Sequence, residues 1–209
     1  MMRDFPGQIS YLFYNIGGFA TWFLFSYSRF CAVPFLGRQP VTKSANIKWL
    51  NLAIADAVLI LIKIFIAVPL VIFGFWIFGY SELAGDHFSI NLLLYISVIL
   101  LTLAMGIGLG MVFHALSARW PMIATTEHLF MWIMFFTSGV YEPYVSMPDF
   151  AQPYFKLNPM LALVEYSRSA LDPTYPVDDL TLAYPVLFAS TLIALGMVLR
   201  SWEKRARSA

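Results

Sequence analysis

Charge is what this sequence has least of. Of its 209 residues only 12% are Asp, Glu, Lys or Arg, about half the share of a typical soluble domain, roughly 25%. A mean hydropathy of +0.72 excludes a water-soluble globule. One cysteine, Cys31, excludes an internal disulfide. A net charge of +1 leaves no electrostatic case for binding nucleic acid. The motifs G-x-x-x-x-G-K-[ST] and G-x-S-x-G are absent, so any ATP must be bound by another chain. His87, His114 and His128 show no H-E-x-x-H spacing, and Cys31 has no Cys or His at ligand spacing, so no metal site is expected. Repeats, low-complexity tracts and a soluble domain are also missing. The start, MMRDFPGQIS, is followed by an apolar stretch that runs past 20 residues without an A-x-A-like site, so it reads as a retained span and not a signal peptide.

What is present is apolar and aromatic: 60% hydrophobic residues and 17% Phe, Trp or Tyr. A helix needs about 20 apolar residues to cross a bilayer, and several runs reach that length. They are continuous and not alternating, which favours helices over a β-barrel. The expectation is an all-α polytopic membrane protein, one transmembrane domain over residues 1–209. Five spans fall at about 10–28, 50–80, 90–116, 122–140 and 181–199. The second exceeds a straight crossing, so it tilts or lies partly along the interface.

Lys and Arg concentrate on one side. Segments 29–48, 117–121 and 200–209 hold four, one and four of them, whereas 1–9, 81–89 and 141–180 together hold Arg3, Lys156 and Arg168. Excess Lys/Arg marks the cytoplasmic side. The expected topology has the tail inside and both the N-terminus and 141–180 outside.

Within the spans, Asp56 and Lys63 are ionisable groups that cost about 2.5–3.5 kcal/mol each on insertion scales. Spaced by seven, they share a helical face. They are either a functional charge pair or an interfacial Asp with a snorkelling or pairing Lys, and the second is the plainer reading. The run 106-GIGLG-110 is not a nucleotide loop, since it lies inside an apolar span. The spacing Gly106-x-x-x-Gly110 is the small-residue pattern that lets membrane helices approach closely. Glu127-His128 is a lone dyad near a helix start.

The segment 141–180 interrupts the hydrophobic sequence with Tyr141, Tyr144, Phe150, Tyr154, Phe155, Tyr166 and Tyr175. These interleave with Glu142, Asp149, Lys156, Glu165 and Arg168. Such aromatics anchor membrane proteins at interfaces. Beside polar groups they also suit sugar rings. On physics alone anchoring takes precedence.

Three features together resemble a known family. A span ends in 138-SGVYEP-143, a Pro- and aromatic-rich segment carries 157-LNPMLALVEYSRSAL-171, and a last span leads to a basic tail. This is similar to the permease subunit of ATP-binding-cassette exporters, in the branch that exports capsular polysaccharide, O-antigen or teichoic acid. The resemblance covers nearly the whole chain. It implies that Ser138, Gly139 and Pro143 close a span. It also implies that Asn158, Pro159, Glu165 and Arg168 belong to a re-entrant segment on the outer face; the helical spacing of Glu165 and Arg168, three apart, brings their side chains together as a structural ion pair. Irregular backbone at membrane depth is tolerated only where protein buries it or it lines a cavity, and a gate at the exit of a path is a natural use for it.

The family further implies a coupling role for 29–48, carried by Arg38, Pro40 and Lys43, and an outer gate or glycan path at Tyr141, Tyr144, Tyr154 and Tyr166. The implied partners are an ATPase subunit holding ATP and Mg, a second copy of the permease, a lipid-linked polysaccharide and periplasmic export proteins, in the bacterial inner membrane. No catalytic residue is expected. The family usually has six spans, and the first span here aligns with the family's second. That implies a start upstream of Met1 or a truncated, nonfunctional copy. The alternative from another class is a membrane-embedded acyl or glycosyl transferase using Asp56, Glu127 or His128.

Overall fold

A computed structural model describes residues 11–32, 49–77, 90–177 and 179–208, and these are helical or in turns. The proposed coupling residues Arg38, Pro40 and Lys43, and His87, lie outside the described residues.

Seven α-helices are described. The long ones are α1 (Tyr11–Ser28), α2 (Trp49–Ile77), α3 (Leu92–Ser117), α4 (Met122–Phe136) and α7 (Ala183–Ser208), with α5 (Gln152–Phe155) and α6 (Pro159–Leu171) between the last two. A 3-10 turn, Arg29–Ala32, continues α1, and another spans Tyr144–Ser146. Among the described residues three helices are long and apolar enough to cross a membrane, over Ile54–Val71, Leu92–Ser117 and Ala183–Trp202.

Helix α3 is the centre of the bundle. Asn91 caps it, its Oδ1 accepting from the Leu94 amide at 3.2 Å. Val98, Met105 and Leu109 of α3 share one core with Trp22 and Phe25 of α1, Met131 and Met134 of α4, and Met160, Leu163 and Val164 of α6. The glycines of α3 set its contacts on two sides. A Cβ on Gly106 would lie 1.8 Å from Ser28 Oγ, and one on Gly110 would lie 2.0 Å from the Arg29 carbonyl oxygen, so α1 and the turn after it press directly on α3. A Cβ on Gly108 would meet Leu192 of α7 at 3.0 Å. Residues 106 and 110 are thus a packing seam and not a ligand loop. Helix α2 stands apart: of its described side chains only Ile60 is buried, and Phe65 is 79% exposed. In water such a face would be unfavourable; in lipid it is expected.

Two boundaries differ from the sequence expectation. The fourth segment was expected to be helical over 122–140, but α4 stops at Phe136. Its 15 residues reach roughly 22 Å, less than the hydrocarbon core of about 30 Å. The cause is local. Thr137 and Ser138 turn their hydroxyls back onto the Ile133 and Phe135 carbonyls, and Gly139 adopts φ +75, which ends the helix. The last helix does not stop at 199. It runs on to Ser208, because 200-RSWEKRARS-208 holds no Gly or Pro to break it. For the segment 141–180 the expectation is a re-entrant piece that protein buries or that lines a cavity. Eleven of the 13 residues of α6 are buried, so its helix is core.

Candidate functional site

The bundle has two distinct ends. At one, α1, α3 and α7 begin and α4 finishes. Here α6 folds back across the bundle, and Arg168 is its hub. The Arg168 side chain is fully buried. Its Nη1 donates to the Gly139 carbonyl and to Glu165 Oε1, both at 2.9 Å, and its Nη2 donates to the Val140 carbonyl at 2.8 Å. Nε points to the Tyr14 carbonyl at 3.3 Å, and the guanidinium lies 3.6 Å from the centre of the Tyr14 ring. One planar fork therefore ties α1, the turn after α4, and α6. A lysine, with a point charge and no fork, could not reproduce this set.

Glu165 is as well satisfied. Oε1 also accepts from the Tyr144 amide at 3.3 Å, and Oε2 accepts from the Tyr175 hydroxyl at 2.7 Å. Burial raises the Glu165 carboxyl, while Arg168 and then these donors pull it back down. Burial, and then the neighbouring Glu165, push the Tyr175 hydroxyl far above its ordinary range, so it stays a donor. A buried ion pair is costly to desolvate and stable only when its remaining donors and acceptors are matched; here they are matched.

The sequence around the hub is built for it. A Cβ on Gly18 would come within 2.8 Å of Arg168 Nη2, and one on Gly17 within 3.1 Å of Arg168 Cγ. Ser167 Oγ reaches the Gly17 carbonyl at 2.9 Å. Asn158 caps α6 through its Oδ1, which accepts from the Met160 amide at 2.9 Å. Its Nδ2 donates to the Met134 carbonyl at 2.7 Å and Thr137 Oγ1 at 2.8 Å, so it closes the end of α4 as well. Pro159 follows at the first helical position, where no donor is lost. Ser138 is buried. Pro143 precedes the Tyr144–Ser146 turn in extended backbone.

The four tyrosines do not form one cluster. Tyr144 is buried, with its hydroxyl 3.0 Å from Gln152 Oε1. The Tyr166 hydroxyl donates to the Leu180 carbonyl at 2.9 Å. Both serve the fold. Tyr141 is exposed and stacks its edge on Phe135 and Phe19, at 5.2 and 5.9 Å between ring centres. Tyr154 is 72% exposed.

At the opposite end, where α1 finishes and α4 begins, Arg29 forms an ion pair with Glu127 of α4, both side chains about 11% exposed. Nothing along the chain hints at it, because the two are 98 positions apart. His128 is exposed. Asp56 and Lys63 form no ion pair with each other. Lys63 instead is the one charged residue lining a groove of about 590 Å³ between α1 and α2, with Asn15, Phe19, Phe23 and Ile60. Of the residues a transferase would use, Glu127 is paired with Arg29 and His128 is exposed. Among the described residues no three His, Cys, Asp or Glu side chains gather as a metal set would.

Comparison with known proteins adds what geometry alone does not. The sequence model of a family described as "ABC-2 type transporter" matches residues 41–171, more than half of the chain. The chain is also similar to the polysialic acid transport protein KpsM of Escherichia coli, 25% identical over 211 residues, which cover 99% of this chain and 78% of that protein. A second Escherichia coli polysialic acid transport protein KpsM is 24% identical over the same shares.

Proposed function

Because the chain belongs to the ABC-2 type transporter family, we propose that it is the membrane subunit of an ATP-driven exporter of a lipid-linked polysaccharide, of capsule or O-antigen type. It works as a multi-pass protein of the bacterial inner membrane. The observation that carries the substrate class is the similarity to a polysialic acid transport protein along 99% of the chain. The helical membrane bundle is consistent with it.

In this proposal two copies form one channel, and a separate ATPase subunit holds ATP and Mg. The basic segments 29–48, 117–121 and 200–209 face the cytoplasm, and 141–180 faces outward. Closure of the ATPases pushes on 29–48 through Arg38, Pro40 and Lys43. That motion opens the outer gate, where the exposed Tyr141 and Tyr154 meet the glycan while Tyr144 and Tyr166 hold the gate's frame. Aromatic faces beside Glu142 and Lys156 offer stacking and hydrogen bonds to sugar.

The test is co-purification. The chain, tagged after Ala209, is expressed with the ATPase encoded nearest to it. A membrane complex of both chains that hydrolyses ATP is the expected result, and a reporter fused at the same place reads cytoplasmic. A stable chain that never binds an ATPase overturns the proposal.

A further inference from the structure

The ion pair between Arg29 and Glu127 sits where the chain leaves α1 for the proposed coupling segment. Several contacts fix Arg29 there. Its Nε donates to the Ser26 carbonyl at 3.0 Å. Its guanidinium lies 4.6 Å from the centre of the Phe30 ring and is joined to Glu127. Its own carbonyl is pressed onto α3 so closely that a Cβ on Gly110 would be 2.0 Å away. Residue 29 is thus clamped between α3 and α4. Glu127 is the only carboxylate on α4, and it is spent on this contact. Breaking such a pair leaves a buried charge without a partner.

The far end of α4 is held just as firmly. Asn158 bonds the Met134 carbonyl, and Arg168 bonds the carbonyls of Gly139 and Val140 in the turn that follows. The helix has no Gly or Pro between these two anchors, so little in its sequence favours bending. A displacement arriving at Arg29 is passed to the outer turn with little absorbed along the way.

We infer that Arg29 and Glu127 are a positioning pair that transmits motion of the Arg29–Ala32 turn through α4 to the turn at 138–146. This rests on the exporter reading above, because it needs an ATPase to supply the motion.

The test uses the complex with the ATPase subunit, in a Cys31→Ala background carrying Val145→Cys as a reporter. Val145 is 51% exposed in the outer turn. Its labelling by a water-soluble maleimide is followed with and without ATP plus vanadate. With the pair intact, nucleotide trapping changes the labelling rate several-fold. In Glu127→Gln, which keeps the side chain's shape, the complex still forms and hydrolyses ATP but the change is lost. The double variant Arg29→Glu with Glu127→Arg restores it. A purely structural pair would lower the yield of complex and leave the nucleotide response of the surviving complex intact.

Retention of the full response in Glu127→Gln overturns the inference. So does a complex with the pair intact that hydrolyses ATP without any change in labelling. In both cases the exporter reading stands. Failure of the intact chain to bind an ATPase at all would instead sink that reading and this inference with it.

Discussion

Arg168 and Gly139 are 29 residues apart in the chain, yet the guanidinium donates to the glycine's carbonyl at 2.9 Å. That contact joins the turn after α4 to the helix that follows it. It is made at full burial, in a turn whose backbone at residue 139 is left-handed. The segment 141–180 is therefore a built part of the core.

Removing the hub should be severe. Arg168→Met leaves the Glu165 carboxylate buried without its cation and orphans the carbonyls of Gly139 and Val140. Breaking one partner of a buried pair typically costs about 3–5 kcal/mol. We expect a large fall in the thermal midpoint of the purified protein, read by size exclusion after heating. Arg168→Lys should recover only part of it. The double variant Arg168→Met with Glu165→Leu should be more stable than Arg168→Met alone, and equal stability of the two would show that the stranded carboxylate is not the cost.

Gly139 and Gly74 make a matched contrast. At Gly139 a Cβ would sit 2.6 Å from Leu161 Cδ1, and φ is +75. Gly139→Ala should destabilise by roughly 1–3 kcal/mol. Nothing lies within 4 Å of a Cβ on Gly74, inside α2, and alanine is the better helix former there by roughly 0.5–1 kcal/mol. Gly74→Ala should leave the thermal midpoint unchanged or raise it. Equal loss at both positions would remove the special role of the turn.

The packing seam predicts an asymmetry. In Gly106→Ala the first clash is with the Ser28 hydroxyl, which can rotate, whereas in Gly110→Ala it is with the backbone of Arg29. Overpacking of this kind costs about 1–3 kcal/mol, and Gly110→Ala should lie at the upper end. Adding Ser28→Ala should rescue Gly106→Ala in part and leave Gly110→Ala as it was. Thermal midpoints of the four variants decide this.

Tyr144 and Tyr154 should separate stability from transport. Tyr144→Phe removes the partner of Gln152, and Tyr144→Ala empties a buried site, so both should lower stability, the second by roughly 3–5 kcal/mol as for other large aromatic truncations. Tyr154→Ala removes an exposed ring and should leave the thermal midpoint within error. If Tyr154 meets the glycan, its loss lowers export at normal expression. Unchanged export would leave it as an interfacial anchor.

Cys31 should be silent. It is fully buried, and burial together with the nearby Asp56 charge pushes its thiol up to about 11. The thiolate is the reactive form, so at pH 8 almost none is present. Maleimide should label the folded protein negligibly and the denatured protein fully. Fast labelling of the folded form would mean that the 29–32 turn opens.

The sequence by itself determined the class. Scarce charge and long apolar runs leave few options other than a helical bundle in lipid, since unsatisfied backbone groups are too costly there. It also placed Gly106 and Gly110 on a packing seam and Glu165 and Arg168 within reach of each other. Both follow from helical periodicity, which is a local property. It also marked Ser138-Gly139 as the close of the fourth span, but not that the helix already ends at Phe136, with the turn after it held by Arg168 and Asn158. Only the tertiary structure decided what the charges touch. Arg29 meets Glu127 across 98 positions, and Tyr14 and Tyr175 meet Arg168 and Glu165 from different parts of the chain. In an interior of low dielectric a charge must find its partner wherever the fold brings one, and no periodicity along the chain encodes that place.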